Sequence, residues 1–271
     1  MSDSAYLNYT FSPPALPHGY GDGVFLSSDP LLLTELAELS AHTTMQPRIT
    51  ELVRDLYRSL LRTVLAHEMP RRRAEVQTRM HALTPHGVWH GQVIDTATKL
   101  VTVSIARAGT LPSQVAFELG TRLLDSDGVR QDHLYMNRRT DEMGRVTGVD
   151  ISGSKIGGDV ENATVLFPDP MGATGGSISE AMSIYRKLEG GDSATLISVN
   201  LIITPEYIAR IRRDHPNARI YALRLDRGMS DKAVLAGPLG SEGSQEAGLN
   251  DIQYIVPGAG GLGEILNNSF V

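Results

Sequence analysis

The segment 165–177 constrains the fold of this chain more than any other part of the sequence. Its first residues are apolar and predict a buried strand, and Asp169 follows at the end of that strand. A short turn with Gly175 and Gly176 comes next and leads into a predicted helix. Glycines give backbone N–H groups room to converge, and the N-terminus of a helix favours an anion. The sequence therefore predicts a strand, a phosphate-binding turn and a helix in direct succession.

The order of residues in this turn excludes two common nucleotide-binding loops. A Walker loop needs a lysine after its glycines, and a dinucleotide-binding loop needs the pattern G-x-G-x-x-G. Neither pattern occurs here, whereas Thr174 and Ser177 add hydroxyl groups on either side of the glycines. The alternative to a phosphate site is a strand-to-helix turn whose glycines contact no ligand.

Strands and helices alternate along the middle of the chain. The stretch 194–203 is rich in β-branched residues, which is typical of a strand buried on both faces. The alternation predicts right-handed crossovers, a mostly parallel sheet and an α/β fold, with ligands at the carboxyl ends of the strands. The predicted strands are 100–105, 163–167, 194–203 and 219–225, and the predicted helices are 111–124, 178–188 and one that starts at Pro205 and ends near His215.

The N-terminal residues divide into an arm and a first helix. Residues 1–23 carry prolines and glycines with little periodicity, which predicts an irregular arm that either wraps a neighbouring subunit or is loose. Asp29 and Pro30 then supply an N-cap and a first-turn proline. A helix is therefore predicted through 31–39.

The clearest amphipathic helix is predicted at 48–68. Apolar residues recur at three- and four-residue spacing from Ile49 to Val64, which places them on one helical face. Thr44 and Pro47 precede this pattern as a start signal. Because the apolar face is large for one helix, we expect it to pack partly against a second copy of the chain.

Composition excludes several classes of function. The chain has 271 residues, a net charge of −6 and no cysteine. The charge disfavours general nucleic-acid binding, and the absence of cysteine excludes disulfide frameworks, thiolate zinc sites and cysteine nucleophiles. No apolar run approaches the roughly 18 residues that span a bilayer, and the first residues lack a secretory pattern. We expect a cytoplasmic protein that binds neither membranes nor nucleic acid. The basic run 71–73 is predicted to lie on a solvated helix face, with phosphate binding as the alternative.

Three motifs give the chain a family resemblance. Residues 169–177, D-P-M-G-A-T-G-G-S, resemble the loop that binds 5-phosphoribosyl-1-diphosphate (PRPP) in phosphoribosyltransferases, in the form typical of uracil phosphoribosyltransferases. Residues 105–109 resemble the family's I-L-R-A-G segment, and residues 254–258 resemble the Y-I-[IV]-P-G start of the hood that covers the base. The resemblance spans residues 24–271. It implies a type I phosphoribosyltransferase-like α/β fold, with a mostly parallel central sheet flanked by helices, a helical N-terminal region and a C-terminal hood.

The resemblance also implies one domain over 1–271. Between the α/β core and the hood, the stretch 230–250 is rich in glycine and predicts a long loop or mobile excursion, which lengthens the family's connection to the hood. The predicted parts are an irregular arm at 1–23, a helical region at 24–70, an α/β core at 95–228, and a loop and hood at 229–271.

Matching residues acquire roles from the resemblance. Arg107, with Ala108 and Gly109, is assigned to the pyrophosphate end of PRPP, and Arg107 is also assigned to catalysis. Asp169 is assigned to catalysis and to the ribose hydroxyls, directly or through Mg²⁺, which PRPP itself mainly carries. The 5′-phosphate is assigned to Ala173, Thr174, Gly175, Gly176 and Ser177, and the base to Ile255, Val256, Gly258, Gly260, Gly261, Leu262, Gly263 and Glu264.

The activity implied by the resemblance is transfer of the phosphoribosyl group from PRPP to uracil, which gives UMP and diphosphate, by a homodimer or higher homo-oligomer. Two segments depart from the family pattern. Its hood continues P-G-x-G-D-A-G-D, whereas Gly261 and Glu264 stand here in place of the two aspartates. Its flap pattern Y-R-[DN]-E-E-T becomes Y-M-N-R-R-T at 135–140, so the predicted flap contacts are Asn137, Arg138 and Arg139.

These departures leave two alternatives open beside uracil transfer. The first is a phosphoribosyltransferase for a different base or base-like acceptor, because the hood and the long excursion adjoin the base site in the family. The second is a non-catalytic homologue that binds PRPP or a nucleotide and regulates a partner, because one hood carboxylate is missing and the flap is changed.

Overall fold

The structure is a computed structural model, and an eight-stranded sheet forms its centre. Its backbone is described at residues 3–140, 146–241 and 243–269, and the side chains at those residues except 137–140, 146, 147, 149 and 244. The strands in chain order are β1 (Val24–Leu26), β2 (Arg71–Gln77), β3 (Val88–Ile94), β4 (Leu100–Ala106), β5 (Val129–Thr140), β6 (Val146–Lys155), β7 (Thr164–Pro168), β8 (Met171–Gly172), β9 (Thr195–Ile203) and β10 (Arg219–Leu225).

The order of the central sheet is β1-β10-β9-β7-β4-β5-β6, and the short β8 also pairs with β9. Every pairing in this sheet is parallel except the antiparallel pair β5 and β6. The mostly parallel sheet predicted from the sequence is therefore confirmed. β2 and β3 form a separate antiparallel hairpin.

Helices cover the central sheet. Of the helices in the described part of the chain, none combines the length and apolar character needed to cross a membrane. They are α1 (Pro30–Ser40), α2 (Arg48–Glu68), α3 (Thr110–Leu123), α4 (Gly176–Arg186), α5 (Pro205–Asp214), α6 (Lys232–Ala236) and α7 (Leu262–Ile265), with short 3₁₀ turns at Ser4–Tyr6, Arg79–Ala82, Ser126–Gly128 and Gly243–Gln245.

Two helix starts follow the predicted capping chemistry. The Asp29 carboxylate accepts a hydrogen bond from the Leu31 N–H at 2.9 Å, directly before Pro30 opens α1. The Thr204 hydroxyl accepts one from the Tyr207 N–H at 3.0 Å, directly before α5. Each cap satisfies a backbone donor that the helix itself leaves unpaired.

The apolar face of α2 is buried within its own chain, contrary to the expected contact with a second copy. Its residues from Ile49 to Val64 join a core that includes residues of α1, α3 and β9, and none of them exceeds 3 % exposure. Thr44 does not cap this helix, because its hydroxyl donates to the Glu38 carbonyl at 2.6 Å, and Pro47 precedes the helix without a side-chain cap.

Two short strands lie where the sequence predicted helix. The basic run 71–73 begins β2 in the hairpin instead of forming a helix face. Its side chains alternate along an exposed two-stranded ribbon, a pattern without the apolar period of a buried strand. β1 lies inside the predicted helical region 24–70 and extends the central sheet by pairing with β10.

The N-terminal arm follows the surface of its own chain. The Leu7 carbonyl accepts a hydrogen bond from the Gln92 side chain of β3 at 2.7 Å. Further along, the Gly19 N–H donates to the Leu239 carbonyl at 2.8 Å, which ties the arm to the excursion after β10. The described part of the arm is thus attached within one chain, at these two places and at the bridge between Ala15 and Ser27 among others.

The glycine-rich excursion 230–250 has a folded interior. Arg227 and Glu246 form an ion pair whose side chains are 10 % and 0 % exposed. The Arg227 guanidinium also donates to the Gly237 carbonyl at 2.7 Å, and the Tyr20 hydroxyl donates to Glu246. Because buried charges require such partners, the described residues of the excursion close around this pair instead of forming an extended loop.

Candidate active site

A cavity of about 680 Å³ lies at the carboxyl ends of β4 and β7, where the fold class predicts a ligand. It brings residues of all three sequence motifs into one wall. The predicted site residues that line it are Arg107, Ala108, Asp169, Ala173, Ser177, Ile255, Gly260, Gly261, Leu262, Gly263 and Glu264.

The glycine-rich turn between β7 and α4 is packed against the end of β9. A Cβ atom on Gly172 would stand 2.9 Å from the Tyr207 ring, and Gly175 has a φ of +76°, which favours glycine. Thr204 holds the turn from below, because its N–H donates to the Gly172 carbonyl at 3.2 Å and its hydroxyl to the Ala173 carbonyl at 2.7 Å. The turn therefore delivers Ser177 to the cavity at the first turn of α4.

Three other residues predicted to bind the 5′-phosphate are not among the described residues that line the cavity. Thr174, Gly175 and Gly176 precede or begin α4, and the Gly176 N–H donates to the Thr174 hydroxyl at 3.4 Å. They shape the N-terminus of the helix, where peptide N–H groups and the helix dipole favour an anion.

Asp169 is held through its backbone and its side chain. Its N–H donates to the Val199 carbonyl at 3.1 Å, and its carbonyl accepts from the Asn200 amide at 2.6 Å. One carboxylate oxygen accepts from the Met171 N–H at 3.0 Å. The strand end, the neighbouring strand β9 and the turn thus fix the position of this carboxylate at the cavity.

Two buried tyrosines lie close enough to Asp169 for its negative charge to raise their pKa values. Burial raises the pKa of the Tyr57 hydroxyl well above its ordinary value, and the Asp169 carboxylate raises it further. Burial likewise raises the pKa of Tyr207, with a smaller contribution from Asp169. Both phenols therefore stay protonated at neutral pH and act as hydrogen-bond donors beneath the site.

Arg107 projects from the end of β4 and is exposed. Its guanidinium donates to the Ser269 carbonyl at 3.0 Å and to the Ser269 hydroxyl at 2.9 Å. The adjoining Gly109 lies outside the cavity wall, where its N–H donates to the Ile105 carbonyl at 3.0 Å and it precedes α3. The C-terminal segment therefore supplies the hydrogen-bond partners of the side chain predicted to hold diphosphate.

The hood is anchored to the chain end of β10. The buried Asp226 carboxylate accepts from the Gly258 N–H at 2.8 Å, and the Gly228 N–H donates to the Val256 carbonyl at 2.9 Å. Val256 and Gly258 are not among the described residues that line the cavity, although the sequence assigned them to the base. Their peptide groups build the hood and leave residues 260–264 to face the cavity.

We expect Gly228→Ala to weaken acceptor binding, because the new Cβ would stand 2.7 Å from the Val256 carbonyl oxygen and push the hood outward. Overpacking of this kind costs about 1–3 kcal/mol. Acceptor KM should rise several-fold while PRPP KM stays near the wild-type value in steady-state kinetics. Gly237→Ala is the matched control, since its Cβ would meet only the Ser241 hydroxyl at 3.4 Å, an ordinary contact, and the Val234 carbonyl beyond it. Equal acceptor KM in both variants would contradict this role of the hood anchor.

The Glu264 side chain occupies the space that a side chain at position 261 would need. A Cβ atom on Gly261 would stand 2.5 Å from a Glu264 carboxylate oxygen, so the carboxylate fills the place beside the glycine. Both residues line the cavity. The hood therefore keeps an acidic group at its inner face, at the second of the two acidic positions of the family pattern.

Comparison with known proteins agrees with this geometry. The family described as uracil phosphoribosyltransferase matches residues 26–245, which is most of the chain and includes the motifs at Arg107 and Asp169. The chain belongs to the uracil phosphoribosyltransferase family. The matched region ends before the hood, so the family assignment rests on the sheet and the PRPP loop.

Individual relatives support the same assignment at low identity. A uracil phosphoribosyltransferase of Caldanaerobacter subterraneus subsp. tengcongensis is 27% identical over 224 residues, which cover 83% of this chain and 97% of the relative. One of Variovorax paradoxus is 30% identical over 183 residues, covering 67% and 77% of the two chains. A solved structure of a protein from Aquifex aeolicus superposes with a TM-score of 0.67 at 21% identity, over 90% of this chain and 97% of that one, and shows the shared fold.

This member of the uracil phosphoribosyltransferase family has further cavity residues to which the sequence assigned no role, several of them within the quoted motifs. Ser152 and Tyr135 come from the β5–β6 hairpin, where the Ser152 hydroxyl donates to the Tyr135 carbonyl at 3.2 Å. The signal available in the sequence was the position of Tyr135 and Tyr254 at the edges of the flap and hood motifs. The added residues are Ile105, Ala106, Tyr135, Met136, Ser152, Met171, Gln253 and Tyr254.

The predicted flap contacts of the family lie on the same hairpin. The backbones of Asn137, Arg138 and Arg139 pair with Asp150, Val149 and Gly148 of β6. Their side chains lie outside the described residues, so their predicted phosphate contacts stay a prediction.

Proposed function

We propose that the chain transfers the 5-phosphoribosyl group from PRPP to uracil, which gives UMP and diphosphate. The observation that carries this proposal is one cavity that joins the PRPP loop, Arg107 and the inner face of the hood. Such a cavity has separate places for the two phosphorylated ends of a donor and for a small planar acceptor. Family membership supports the same donor and reaction class.

The donor is bound by groups at three strand and helix ends. Ala173 and Ser177 receive the 5′-phosphate at the start of α4, where helix N–H groups and dipole favour it. Arg107 and Ala108 receive the diphosphate, for which a planar guanidinium supplies several hydrogen bonds. Asp169 receives the ribose hydroxyls between these two ends.

In this proposal the hood binds the acceptor. Uracil is small and planar, and its alternating donors and acceptors match peptide groups, which Gly260, Gly261 and Gly263 expose without side chains. The Glu264 carboxylate beside Gly261 adds a charged acceptor at the same face. We propose that these residues, with Ile255 and Leu262, hold the base against C1 of the donor.

The reaction is a displacement at C1 of PRPP. A ring nitrogen of uracil forms a bond to C1 while the bond from C1 to the diphosphate oxygen breaks, and the proton of that nitrogen passes to solvent. Positive charge develops on the ribose in the transition state, so the chain's contribution is to position the reactants and stabilise the departing diphosphate. Arg107 performs the second task, and Asp169 fixes the ribose.

A Mg²⁺ ion fits this site if PRPP carries it. The described residues hold no cluster of three or more histidine, aspartate or glutamate side chains that forms a protein-only metal site. Mg²⁺ keeps most of its waters and takes one or two protein carboxylates beside substrate phosphates. Asp169 at the cavity wall is such a carboxylate, and we propose that it holds the ion with the substrate. When bound, the ion neutralises charge on the diphosphate.

A panel assay tests the proposal. Pure protein is incubated with PRPP, Mg²⁺ and one of several pyrimidine or purine bases, and diphosphate release is measured. We expect release with uracil at a higher kcat/KM than with any other base. Release with none of the bases would contradict the proposed activity.

One observation favours a second candidate, a different base or base-like acceptor. The hood carboxylate belongs to Glu264 and lies beside Gly261, where the family pattern has its first aspartate, so this hood presents one carboxylate in place of two. Release in the same panel with another acceptor preferred over uracil identifies this candidate. PRPP binding by calorimetry without release identifies the non-catalytic homologue instead.

We propose a homodimer or higher homo-oligomer, and the β2–β3 hairpin supports it better than α2 does. Two-stranded hairpins are marginal in water without a covering surface. Val76, Leu83 and Trp89 on or beside this hairpin are 52 %, 78 % and 41 % exposed. We expect light scattering at micromolar concentration to give at least twice the chain mass, and a monomer would contradict the proposal.

A further inference from the structure

Three polar side chains are buried beneath the candidate site, in and beside the central strand β9. Ser198 and Asn200 lie on β9, Tyr207 lies on α5, and all three are fully buried. Their neighbours along β9 are apolar, including Leu201, Ile202 and Ile203. Buried polar groups cost free energy unless they find hydrogen-bond partners, so their arrangement calls for a physical reason.

The three side chains form one hydrogen-bonded chain that ends at Asp169. The Tyr207 hydroxyl bonds to the Ser198 hydroxyl, which donates to the Asn200 amide oxygen at 2.5 Å. The Asn200 amide nitrogen donates to the Asp169 carbonyl at 2.6 Å. Because Ser198 fixes the amide oxygen, the amide nitrogen of Asn200 is oriented toward Asp169.

The Asn200 contact completes a clamp on the end of β7. Asp169 already donates its N–H to the Val199 carbonyl at 3.1 Å, and the next carbonyl, of Pro170, accepts from the N–H groups of Leu201 and Ile202. Asn200 supplies the partner of the carbonyl between them. Without it, the part-buried Asp169 carbonyl would lose this donor, and a typical hydrogen bond of this kind contributes about 0.5–1.5 kcal/mol.

None of these three side chains is among the described residues that line the cavity. Of the residues that Asn200 contacts in the described hydrogen bonds, Asp169 is the one that lines the cavity, so the effect of Asn200 on a ligand passes through Asp169. A displacement of about 1 Å at a positioned catalytic group is enough to cost up to roughly 10²-fold in rate. The network is thus placed to control the carboxylate while remaining hidden from substrate.

We propose that Asn200, oriented by Ser198 and Tyr207, is a positioning residue that sets the place of the Asp169 carboxylate for the donor. The proposal rests on the proposed function, in which Asp169 contacts the ribose hydroxyls or the Mg²⁺ of PRPP. It predicts that the buried polar side chains affect kcat and PRPP binding and do not affect acceptor binding.

The primary variant is Asn200→Leu, which keeps the size of the side chain and removes its donor. We expect kcat to fall about 10-fold and PRPP KM to rise, with an unchanged acceptor KM. The matched control is Tyr185→Phe. Tyr185 is also buried, and its hydroxyl donates to the Asp132 carboxylate at 2.8 Å, but neither residue is among the described residues that line the cavity or bond the Asp169 backbone. The control should lose thermal stability without the change in kcat.

A double-variant cycle separates positioning from general stability. In an Asp169→Asn background, Asn200→Leu should lower kcat by less than twofold while lowering the melting temperature as much as it does alone. An undiminished 10-fold loss of kcat in that background would overturn the proposal. Equal kcat losses in Asn200→Leu and Tyr185→Phe would overturn it as well.

Two further measurements cover a poorly folded variant and an inactive protein. If Asn200→Leu does not fold, Ser198→Ala removes the hydrogen bond that orients the amide, together with the bond between the Ser198 and Tyr207 hydroxyls, and we expect a smaller loss of kcat in the same direction. If the wild type releases diphosphate with no base, the proposed activity fails, and calorimetry with PRPP and Mg²⁺ replaces kinetics. Weaker PRPP binding by the Ser198 or Asn200 variant than by Tyr185→Phe then supports the positioning role, and equal binding overturns it.

Discussion

Asp169→Asn is expected to lower turnover by about 10²- to 10³-fold while the chain stays folded. Asparagine keeps the size of the side chain and an oxygen that accepts from the Met171 N–H, and the backbone contacts to Val199 and Asn200 are untouched. Only the negative charge at the end of β7 is lost. We expect the loss in kcat at saturating PRPP and acceptor, with a melting temperature within a few degrees of the wild type.

Asp95→Asn is the control for this change. Asp95 also accepts a hydrogen bond from the N–H two residues later, that of Ala97 at 3.2 Å, but is not among the described residues of the cavity wall. Its substitution should leave kcat unchanged. Full activity in Asp169→Asn would show that this carboxylate neither holds the ribose nor binds the Mg²⁺ of PRPP.

Arg107→Ala should also lower kcat/KM for PRPP by about 10²- to 10³-fold, because the departing diphosphate loses a charged, multidentate donor. The side chain is exposed at the end of β4, so its removal should not disturb the core. Steady-state kinetics at varied PRPP, with circular dichroism as the test of folding, measure the effect. Acceptor KM should change little.

Ser269→Ala distinguishes diphosphate binding from attachment of the C-terminal segment. Arg107 donates to both the carbonyl and the hydroxyl of Ser269, and this substitution removes the hydroxyl alone. We expect activity near the wild-type level. If Ser269→Ala is as inactive as Arg107→Ala, or if Arg107→Ala is fully active, the assignment of Arg107 to diphosphate is wrong.

Local patterns predicted the parts of the fold whose signals lie within a few residues. Asp29 with Pro30 and Thr204 with Pro205 marked two helix starts, and the apolar stretch 194–203 marked the buried strand β9. The turn after Asp169 was readable because glycine has a specific conformational use there, as the positive φ of Gly175 shows. Residues of the same motifs met in one cavity because parallel strands end at one edge of a sheet.

Non-local contacts account for what the sequence did not predict. The exposed β2–β3 hairpin has no buried face to impose a period, so residues 71–73 resembled a helix surface. Asn200 and Asp169 are 31 residues apart, and a buried asparagine inside an apolar strand gives no sign of its partner. The same limit applies to Glu264, because its position over Gly261 depends on the turn into α7.

The two ends of the excursion between β10 and the hood lie close together in space. The Met229 N–H donates to the Ala247 carbonyl at 3.0 Å, and the Ala247 N–H donates to the Ser230 hydroxyl at 2.8 Å. The entropy cost of closing a loop grows only with the logarithm of its length. A segment joined in this way can therefore gain or lose residues during evolution while the flanking anchors of the hood, Gly228 and Gly248, keep their spacing.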